Sequence, residues 1–434
     1  MNSSYRDRHT AELHQMQRAI AGLYLYQDIL NCEIGLALID LLKAIASGDR
    51  SQADALICLT AYGRFFKALA TENCSWEEFT IGRILQAENP FSLQAQNTEF
   101  DRLSPALVTA ARQDLRALQT IYLRGQYIPH WVKQVGNLNG QQIAWMENSN
   151  FDQKLAFVNV FQANDWSELV RDIAEYYQQS GVGIFGKYSA LKWQDRLIGI
   201  AHPDQVQIEN LVGYDEQKAT IIKNTNSLLL GKPALNILLY GGKGTGKSSL
   251  VKGLLNHYVG TQLRLVEVSK SAMIDLPQIL DLLTDLPQKF IIFIDDLSFE
   301  ADDEAFKALK VVLEGSVTAK PANVVVYATS NRRHLVREYF ADRPRPQDAD
   351  DIHLWDTTQE KLSFSDRFGI TLTFEPADQV KYLEIVGHLA NSAKLPIYGD
   401  ELESHALQWA TRHNGRSGRT ARQFIDYLCG ESSQ

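Results

Sequence analysis

Residues 235–256 constrain the fold of this chain more than any other stretch of its sequence. An apolar run typical of a buried strand, residues 236–240, leads into a glycine-rich loop, and a helix with apolar residues at three- and four-residue spacing follows. The loop has the pattern G-x-x-x-x-G-K-S, in which successive backbone N–H groups can surround a chain of phosphates. The sequence therefore predicts a strand–loop–helix unit that binds a nucleoside triphosphate.

Four residues of this loop carry the chemistry. Gly241 and Gly246 keep side-chain bulk out of the turn, Lys247 is expected to reach the β- and γ-phosphates, and the hydroxyl of Ser248 is expected to bind Mg²⁺. The start of the following helix adds its positive pole and its free N–H groups.

Composition limits the classes of protein to consider. The chain has 434 residues, of which 45% are hydrophobic and 22% charged, as in a soluble globular protein of two or three domains. A net charge of −9 argues against a protein coated for nucleic-acid binding. Four cysteines without C-x-x-C spacing, a polar start and the lack of a long apolar run predict a cytoplasmic protein with no membrane span.

Hydrophobic spacing divides the chain into segments. Residues 1–180 are predicted to form a helical N-terminal domain, 181–207 a connector, 208–375 the nucleotide-binding core and 376–434 a helical lid. The pattern G-x-G-x-x-G at Gly181, Gly183 and Gly186 follows a helix rather than a strand, so we interpret it as part of the connector. In the core, four strand-like runs at 236–240, 263–268, 290–294 and 324–328 are separated by helical patterns, which predicts a parallel sheet covered on both faces. A further apolar run follows at 370–374.

Polar residues follow two of these runs, where ligands of parallel sheets bind. Asp295 and Asp296 come directly after the run 290–294, so Asp295 is expected to bind Mg²⁺ and Asp296 to polarise the attacking water. Asn331 follows the run 324–328 and is a candidate to lie between that water and the γ-phosphate. The alternatives are a solvated turn for the two acids and a helix-capping residue for Asn331.

Two arginines are further candidates for phosphate contacts. Arg367 precedes the last strand-like run and is remote from its own loop, so its natural use is on the site of a neighbouring copy. A structural arginine paired to a carboxylate is the alternative. Arg419 opens the last predicted helix and could reach the nucleotide from a lid, with Arg422 as its neighbour, unless this is a solvated basic helix end.

Taken together, these motifs resemble those of AAA+ P-loop ATPases. GGKGTGKS, IIFIDD, ATSN, SDRFG and SGRTAR stand in the order of Walker A, Walker B, sensor 1, arginine finger and sensor 2. Longer strings, such as FIIFIDDLSFE and EKLSFSDRFG, resemble a bacterial AAA+ family catalogued as domain of unknown function eight hundred and fifteen. The resemblance implies an α/β core with a five-stranded parallel sheet between helices, a C-terminal helical lid, an all-α N-terminal domain, and assembly in rings or arcs.

The resemblance also implies roles for individual residues. Asp296, Asn331, Arg367 and Arg419 would be catalytic, and Ser248 and Asp295 would bind Mg²⁺. ATP would be bound by the adenine-bordering residues Val212, Gly213 and Tyr214, and by the loop residues Gly241, Gly242, Lys243, Gly244, Thr245, Gly246, Lys247, Ser248 and Ser249. This chain departs from the AAA+ pattern at two places. Many members carry Glu where this chain has Asp296. The segment after residue 268 also lacks the aromatic–apolar–glycine loop of protein-threading motors.

These features favour an ATP-hydrolysing enzyme that remodels or loads a macromolecular partner. The alternative is a nucleotide-gated adaptor that hydrolyses slowly, and a small-molecule kinase ranks below both because no acceptor pocket can be recognised. A homo-oligomer and an unidentified protein partner are expected. Nucleic acid is a possible partner, but the sequence does not indicate it. One basic run is best interpreted as a solvated face or a subunit interface, and it is formed by Arg332, Arg333, His334, Arg337, Arg343 and Arg345. Residues 341–358 are predicted to form a mobile loop.

Overall fold

A computed structural model of the chain describes residues 2–47, 52–136, 160–299, 304–314, 321–331, 364–413 and 415–432. The chain divides into two compact units, Met1–Lys187 and Tyr188–Gln434. The basic run after Asn331 and the predicted loop at 341–358 lie outside the described residues. Within the part that is described, no helix combines the length and the apolar character needed to cross a membrane.

The first unit is helical, as its apolar spacing predicts. Its helices bury one cluster of apolar side chains, in which Leu38, Leu41, Leu115 and Leu118 are fully buried. The described helices are α1 (Asn2–Ala21), α2 (Glu33–Ser47), α3 (Gln52–Glu72), α4 (Trp76–Leu85), α5 (Pro90–Ala95), α6 (Pro105–Gly125), α7 (Ile128–Val135), α8 (Val170–Ser180) and α9 (Gly183–Lys187).

A buried carboxylate holds the chain that follows α1. Asp114 of α6 is fully buried and accepts the backbone N–H groups of Tyr24, Leu25 and Tyr26 at 2.9, 2.7 and 3.0 Å. Because a buried charge is tolerated only when hydrogen bonds surround it, these contacts account for the acid as a structural residue.

The second unit is built on one sheet. Its strands are β1 (Ala190–Trp193), β2 (Leu197–Gly199), β3 (Ile237–Gly241), β4 (Leu263–Glu267), β5 (Lys289–Ile294), β6 (Val324–Ser330) and β7 (Ile370–Phe374), in the order β2-β1-β4-β5-β6-β3-β7. β3 lies between β6 and β7 and is parallel to both. Because parallel strands end at the same edge, the residues that follow β3, β5 and β6 meet there.

The sheet is two strands wider than the sequence analysis predicts. The five predicted parallel strands are present as the block β4-β5-β6-β3-β7. The hairpin β1–β2 comes from the segment 181–207, for which the sequence predicts a connector, and β1 adds to the sheet in parallel with β4. Strands of four and three residues are too short to give a periodic hydrophobic signal.

Helices α10 (Asp215–Leu229), α11 (Lys247–His257), α12 (Leu276–Thr284) and α13 (Glu304–Glu314) lie between the core strands in the chain. Five of the six residues of β5 are buried, as expected for a strand covered on both faces. Ile237 and Leu239 of β3 share a buried cluster with Leu250 and Leu254 of α11. This packing fixes the two ends of the glycine-rich loop.

The C-terminal residues form the predicted helical lid. Its helices are α14 (Gln379–Ser392), α15 (Gly399–Arg412) and α16 (Gly418–Ser432). They bury an apolar cluster of their own, in which Tyr382, Ala406 and Phe424 are almost completely covered. The lid therefore has an apolar core that is separate from that of the sheet.

Candidate nucleotide-binding site

The loop between β3 and α11 turns tightly and ends at a helix N-terminus. Gly241 has a φ of 151°, and a Cβ there would lie 2.0 Å from the carbonyl oxygen of Phe374. Gly246, with a φ of 91°, precedes α11, and its carbonyl accepts the N–H of Leu250 at 2.8 Å. The first N–H groups of α11 therefore face the loop, where the helix dipole favours an anion such as phosphate.

The side chain of Lys247 folds back into the loop. Its Nζ donates to the carbonyl oxygens of Gly241 and Gly242 at 2.9 and 2.7 Å and lies 3.4 Å from Oδ1 of Asn331. The residue is only 6% exposed, and this burial lowers the pKa of the ammonium group, although the two acids after β5 act in the opposite direction. A buried cation bonded to neutral carbonyls gains strongly from a phosphate oxygen.

Asp295 lies beside the start of α11. Its Oδ1 accepts the hydroxyl of Ser248 at 2.6 Å and the hydroxyl of Thr329 at 2.5 Å. Mg²⁺ prefers oxygen ligands, and in nucleotide sites it is held by one or two protein oxygens together with phosphates and water. The hydroxyl–carboxylate pair next to the loop fits this requirement, so Ser248 and Asp295 are the residues that would hold the ion.

Asp296 is fixed in an uncommon conformation. Its φ is 53°, a left-handed value that is rare outside glycine and concentrated at functional sites. Its backbone N–H donates to the hydroxyl of Thr329 at 2.9 Å, and its Oδ1 accepts from Nδ2 of Asn331 at 2.5 Å. Thr329 thus holds both acids at once, and Asn331 joins Asp296 to Lys247.

We expect Thr329→Val to lower the free energy of unfolding by about 1–2 kcal/mol, because it removes one hydrogen bond to each acid. Thr329 is 2% exposed, and valine has nearly the same shape, so the change tests the hydroxyl rather than the packing. Thr329→Ser keeps the hydroxyl and is expected to lose less. Urea unfolding of the three proteins measures the difference, and equal stabilities for Thr329→Val and the wild type would contradict the assignment.

A cavity of about 840 Å³ opens beside the loop, and most of the predicted site residues line it. On the phosphate side it is lined by Lys243, Gly244, Thr245, Gly246, Lys247, Ser248, Ser249, Asp295, Asp296 and Asn331. Val212 and Tyr214 line another part of the wall, and Arg419 lines it from the lid. Among the described residues, the predicted members that do not line the cavity are Gly213, Gly241, Gly242 and Arg367.

An aromatic pair stands on the side of the cavity predicted for the base. The rings of Tyr214 and Phe374 are 4.9 Å apart at an angle of 47°, and the hydroxyl of Tyr214 donates to the carbonyl of Glu375. Burial raises the pKa of Tyr214, and the nearby Glu375 carboxylate adds to the effect. The hydroxyl therefore stays protonated and holds the ring in place.

The lid touches the phosphate loop at its tip. A Cβ on Gly418 would lie 3.1 Å from the carbonyl oxygen of Gly244, and a Cβ on Gly244 would lie 2.9 Å from Oγ of Ser417. Arg419 and Arg422, about one turn apart on α16, both line the cavity. The lid thus brings two arginines to the cavity, and the contact of Arg419 with the nucleotide stays a prediction.

Residues 186–432 match the family model described as "Protein of unknown function (DUF815)", which covers more than half of the chain. The chain belongs to this family. The matched segment contains the glycine-rich loop, the block of parallel strands and the helical lid that follows them. No curated protein matches the sequence.

Solved structures resemble this family member only distantly. RuvB of Thermotoga maritima, titled a Holliday junction branch migration motor, is 13% identical, and the match covers 51% of this chain and 72% of RuvB with a TM-score of 0.33. A variant of RuvB from the same organism is 14% identical, with the same coverage and TM-score. Similarity at this level carries no argument about function.

Arg367 of this DUF815 chain lies away from the cavity of its own molecule. It ends the short helix Phe364–Arg367, and its guanidinium forms an ion pair with Glu314 at the end of α13. The two side chains are 23% and 39% exposed. This contact matches the alternative of an arginine paired to a carboxylate, while the use of Arg367 on a neighbouring copy stays a prediction.

Sequence reasoning missed two parts of the site. Thr329 stands in the string ATSN, in which the sequence analysis predicts a role only for Asn331. Ile294 and Ala328 are paired in the parallel register, so Asp295 and Thr329 follow at the next position of their two strands, and this register is visible only in the structure. The other part, the cavity wall at residues 204–207, carries no motif.

Proposed function

We propose that this protein binds ATP with Mg²⁺ and hydrolyses it in order to remodel or load a macromolecular partner. The observation that carries the proposal is the chain of contacts from Lys247 through Asn331 to Asp296, beside the joined pair Ser248 and Asp295. One cavity thereby contains a cation for phosphates, oxygen ligands for a metal ion, and a carboxylate that can polarise water.

The chemistry follows from these positions. Lys247 exchanges its bonds to the loop carbonyls for bonds to phosphate oxygens, and Asn331 orients Asp296. Water attacks the γ-phosphorus, the bond from that phosphorus to the oxygen it shares with the β-phosphate breaks, ADP leaves with the oxygen, and Asp296 takes the proton of the water. Mg²⁺, when bound, supplies positive charge at the β- and γ-phosphate oxygens.

We also propose that copies of the chain assemble and that Arg367 acts on the nucleotide of a neighbour. Support comes from its position, since it does not line the cavity of its own chain, and from the family resemblance. In an assembly, the arginine would exchange Glu314 for the γ-phosphate and stabilise the charge that develops during transfer.

Arg367→Ala is expected to bind ATP normally but to show a hydrolysis rate per subunit that no longer rises with protein concentration. Arg412→Ala, which changes an exposed lid arginine outside the cavity lining, serves as the control and should behave as the wild type. Mixing Arg367→Ala with Asp296→Asn should restore activity, because each Asp296→Asn subunit still offers an arginine to an intact site. Mixtures as inactive as either variant alone would contradict action in trans.

A second function, that of a nucleotide-gated adaptor, is favoured by the state of Asp296. Its carboxylate is engaged by Asn331 at 2.5 Å and is one methylene shorter than glutamate, so turnover would be slow. In this case ATP binding changes the angle of the lid, and the helical unit recruits a protein partner. Capture of that partner to the same extent with ATP, with ADP and without nucleotide would exclude the adaptor.

The compartment we propose is the cytoplasm. Cys32, Cys58, Cys74 and Cys429 form no disulfide in the structure. Cysteines that remain in the thiol form are typical of proteins in a reducing environment.

A further inference from the structure

We propose that residues 204–207, which we call the strap, recognise the adenine base. We also propose that Asn256 holds the strap in the position that this recognition requires. The inference rests on the proposed function, because it concerns recognition of the same nucleotide. Asp204, Gln205, Val206 and Gln207 all line the cavity, whereas Asn256 is not among the described residues that line it.

Both hydrogens of the Asn256 amide are used on the strap. Nδ2 donates to the carbonyl oxygen of Asp204 at 2.9 Å and to that of Val206 at 2.7 Å. The strap belongs to no helix or strand, so these bonds replace the support that a sheet would give. An isolated segment of cavity wall is thereby tied to the helix that follows the phosphate loop.

One face of α11 is shaped to receive the chain around the strap. A Cβ on Gly253 would lie 3.0 Å from Cγ1 of Ile208 and 3.4 Å from the carbonyl oxygen of Val206, so the glycine permits close approach. One turn further, His257 contacts Glu209 at 3.2 Å. Gly253, Asn256 and His257 are three and four residues apart and therefore lie on the same side of the helix.

The position of Asn256 points to the base rather than to the phosphates. It is nine residues after Lys247, which corresponds to about 13 Å along the axis of α11. A change at that distance leaves the loop, Lys247 and Ser248 in place. It releases only the strap, which lines the same cavity as Val212 and Tyr214, the residues predicted to border adenine.

The strap offers backbone groups that can distinguish purines. Gln205 stands between the two residues whose carbonyl oxygens Asn256 holds, and it lines the cavity. Among the described residues, no hydrogen bond engages the backbone N–H or C=O of Gln205. One donor and one acceptor match the ring nitrogen and amino group of adenine, whereas guanine presents an oxygen in place of the amino group.

The test measures affinities for ATP, GTP and inorganic tripolyphosphate in the wild type, Asn256→Leu and Asn256→Asp. Both variants remove the two donors, and Asp differs least in shape. We expect the wild type to prefer ATP to GTP. In both variants the affinity for ATP should fall about tenfold, the affinity for GTP should fall much less, and the affinity for tripolyphosphate should stay within about twofold.

Asn226→Leu is the matched control. This exposed asparagine on α10 accepts a hydrogen bond from Tyr258 at 2.9 Å and does not contact the strap, so its loss should leave all three affinities unchanged. Thermal melting without ligand checks that each variant is folded. Three results would overturn the inference without contradicting the proposed binding of ATP. They are an unchanged ratio of ATP affinity to GTP affinity in both Asn256 variants, an equal loss of affinity for all three ligands, and a wild type that binds ATP and GTP equally well. A wild type that binds none of the ligands would overturn the proposed function as well.

Discussion

Asp296→Asn is expected to bind ATP within about threefold of the wild-type affinity and to release phosphate at least about a hundredfold more slowly. A positioned general base contributes about 10²–10⁴-fold, and an amide does not take the proton. The backbone should be unaffected, since asparagine tolerates the φ of 53° found at this position. Phosphate release at saturating ATP, with binding titrated separately, measures the two effects.

Two further variants make this result specific to the carboxylate. Asp296→Glu retains an acid and is expected to retain hydrolysis. Asp281→Asn removes an exposed acid from α12 that does not line the cavity, so it should leave the rate unchanged. Hydrolysis by Asp296→Asn at the wild-type rate would show that Asp296 is not the base.

Lys247→Ala is expected to weaken ATP binding by at least about a hundredfold, which corresponds to about 3 kcal/mol. The variant loses charge-assisted hydrogen bonds to the phosphates, each of which contributes about 1.5–3 kcal/mol. It also leaves the carboxylates of Asp295 and Asp296 facing the phosphates without the intervening cation. Equilibrium titration with ATP and Mg²⁺ measures the loss, and hydrolysis should fall with binding at any practical concentration of ATP.

Two other lysines provide controls for this effect. Lys252 is on the same helix but does not line the cavity, so Lys252→Ala should bind ATP normally. Lys243 lines the cavity but is exposed, so Lys243→Ala should show a smaller loss than Lys247→Ala. If Lys247→Ala bound ATP within about threefold of the wild type, the phosphate site would not be where we place it.

The core of the fold was predictable because its signals are local. The run 290–294 is a continuous apolar stretch ending in two acids, and it forms β5 (Lys289–Ile294) with the acids at the sheet edge. The runs predicted at 236–240, 263–268, 324–328 and 370–374 likewise form β3, β4, β6 and β7. The hairpin β1–β2 was missed because strands this short are held by pairing with β4, a contact between residues more than 70 positions apart.

The candidate site was predictable only where the residues that contact each other belong to one short motif. Within the loop, Lys247 donates to the carbonyl oxygens of Gly241 and Gly242, so this part of the arrangement could be predicted from one short motif. The ion pair of Arg367 with Glu314, and the hydrogen bonds that Thr329 makes to the two acids, join residues from separate elements. Spacing along the chain carries no signal for such pairs.

The sequence by itself determined the P-loop, the acids beyond the apolar strands and the alternation that makes a parallel sheet, because each is written in neighbouring residues. Only the tertiary structure decided that a hairpin widens the sheet, that Thr329 holds both acids, and that Asn256 ties an unmarked segment to the nucleotide cavity. These features depend on which strand ends and helix faces meet in space, and that is fixed by the packing of the whole core.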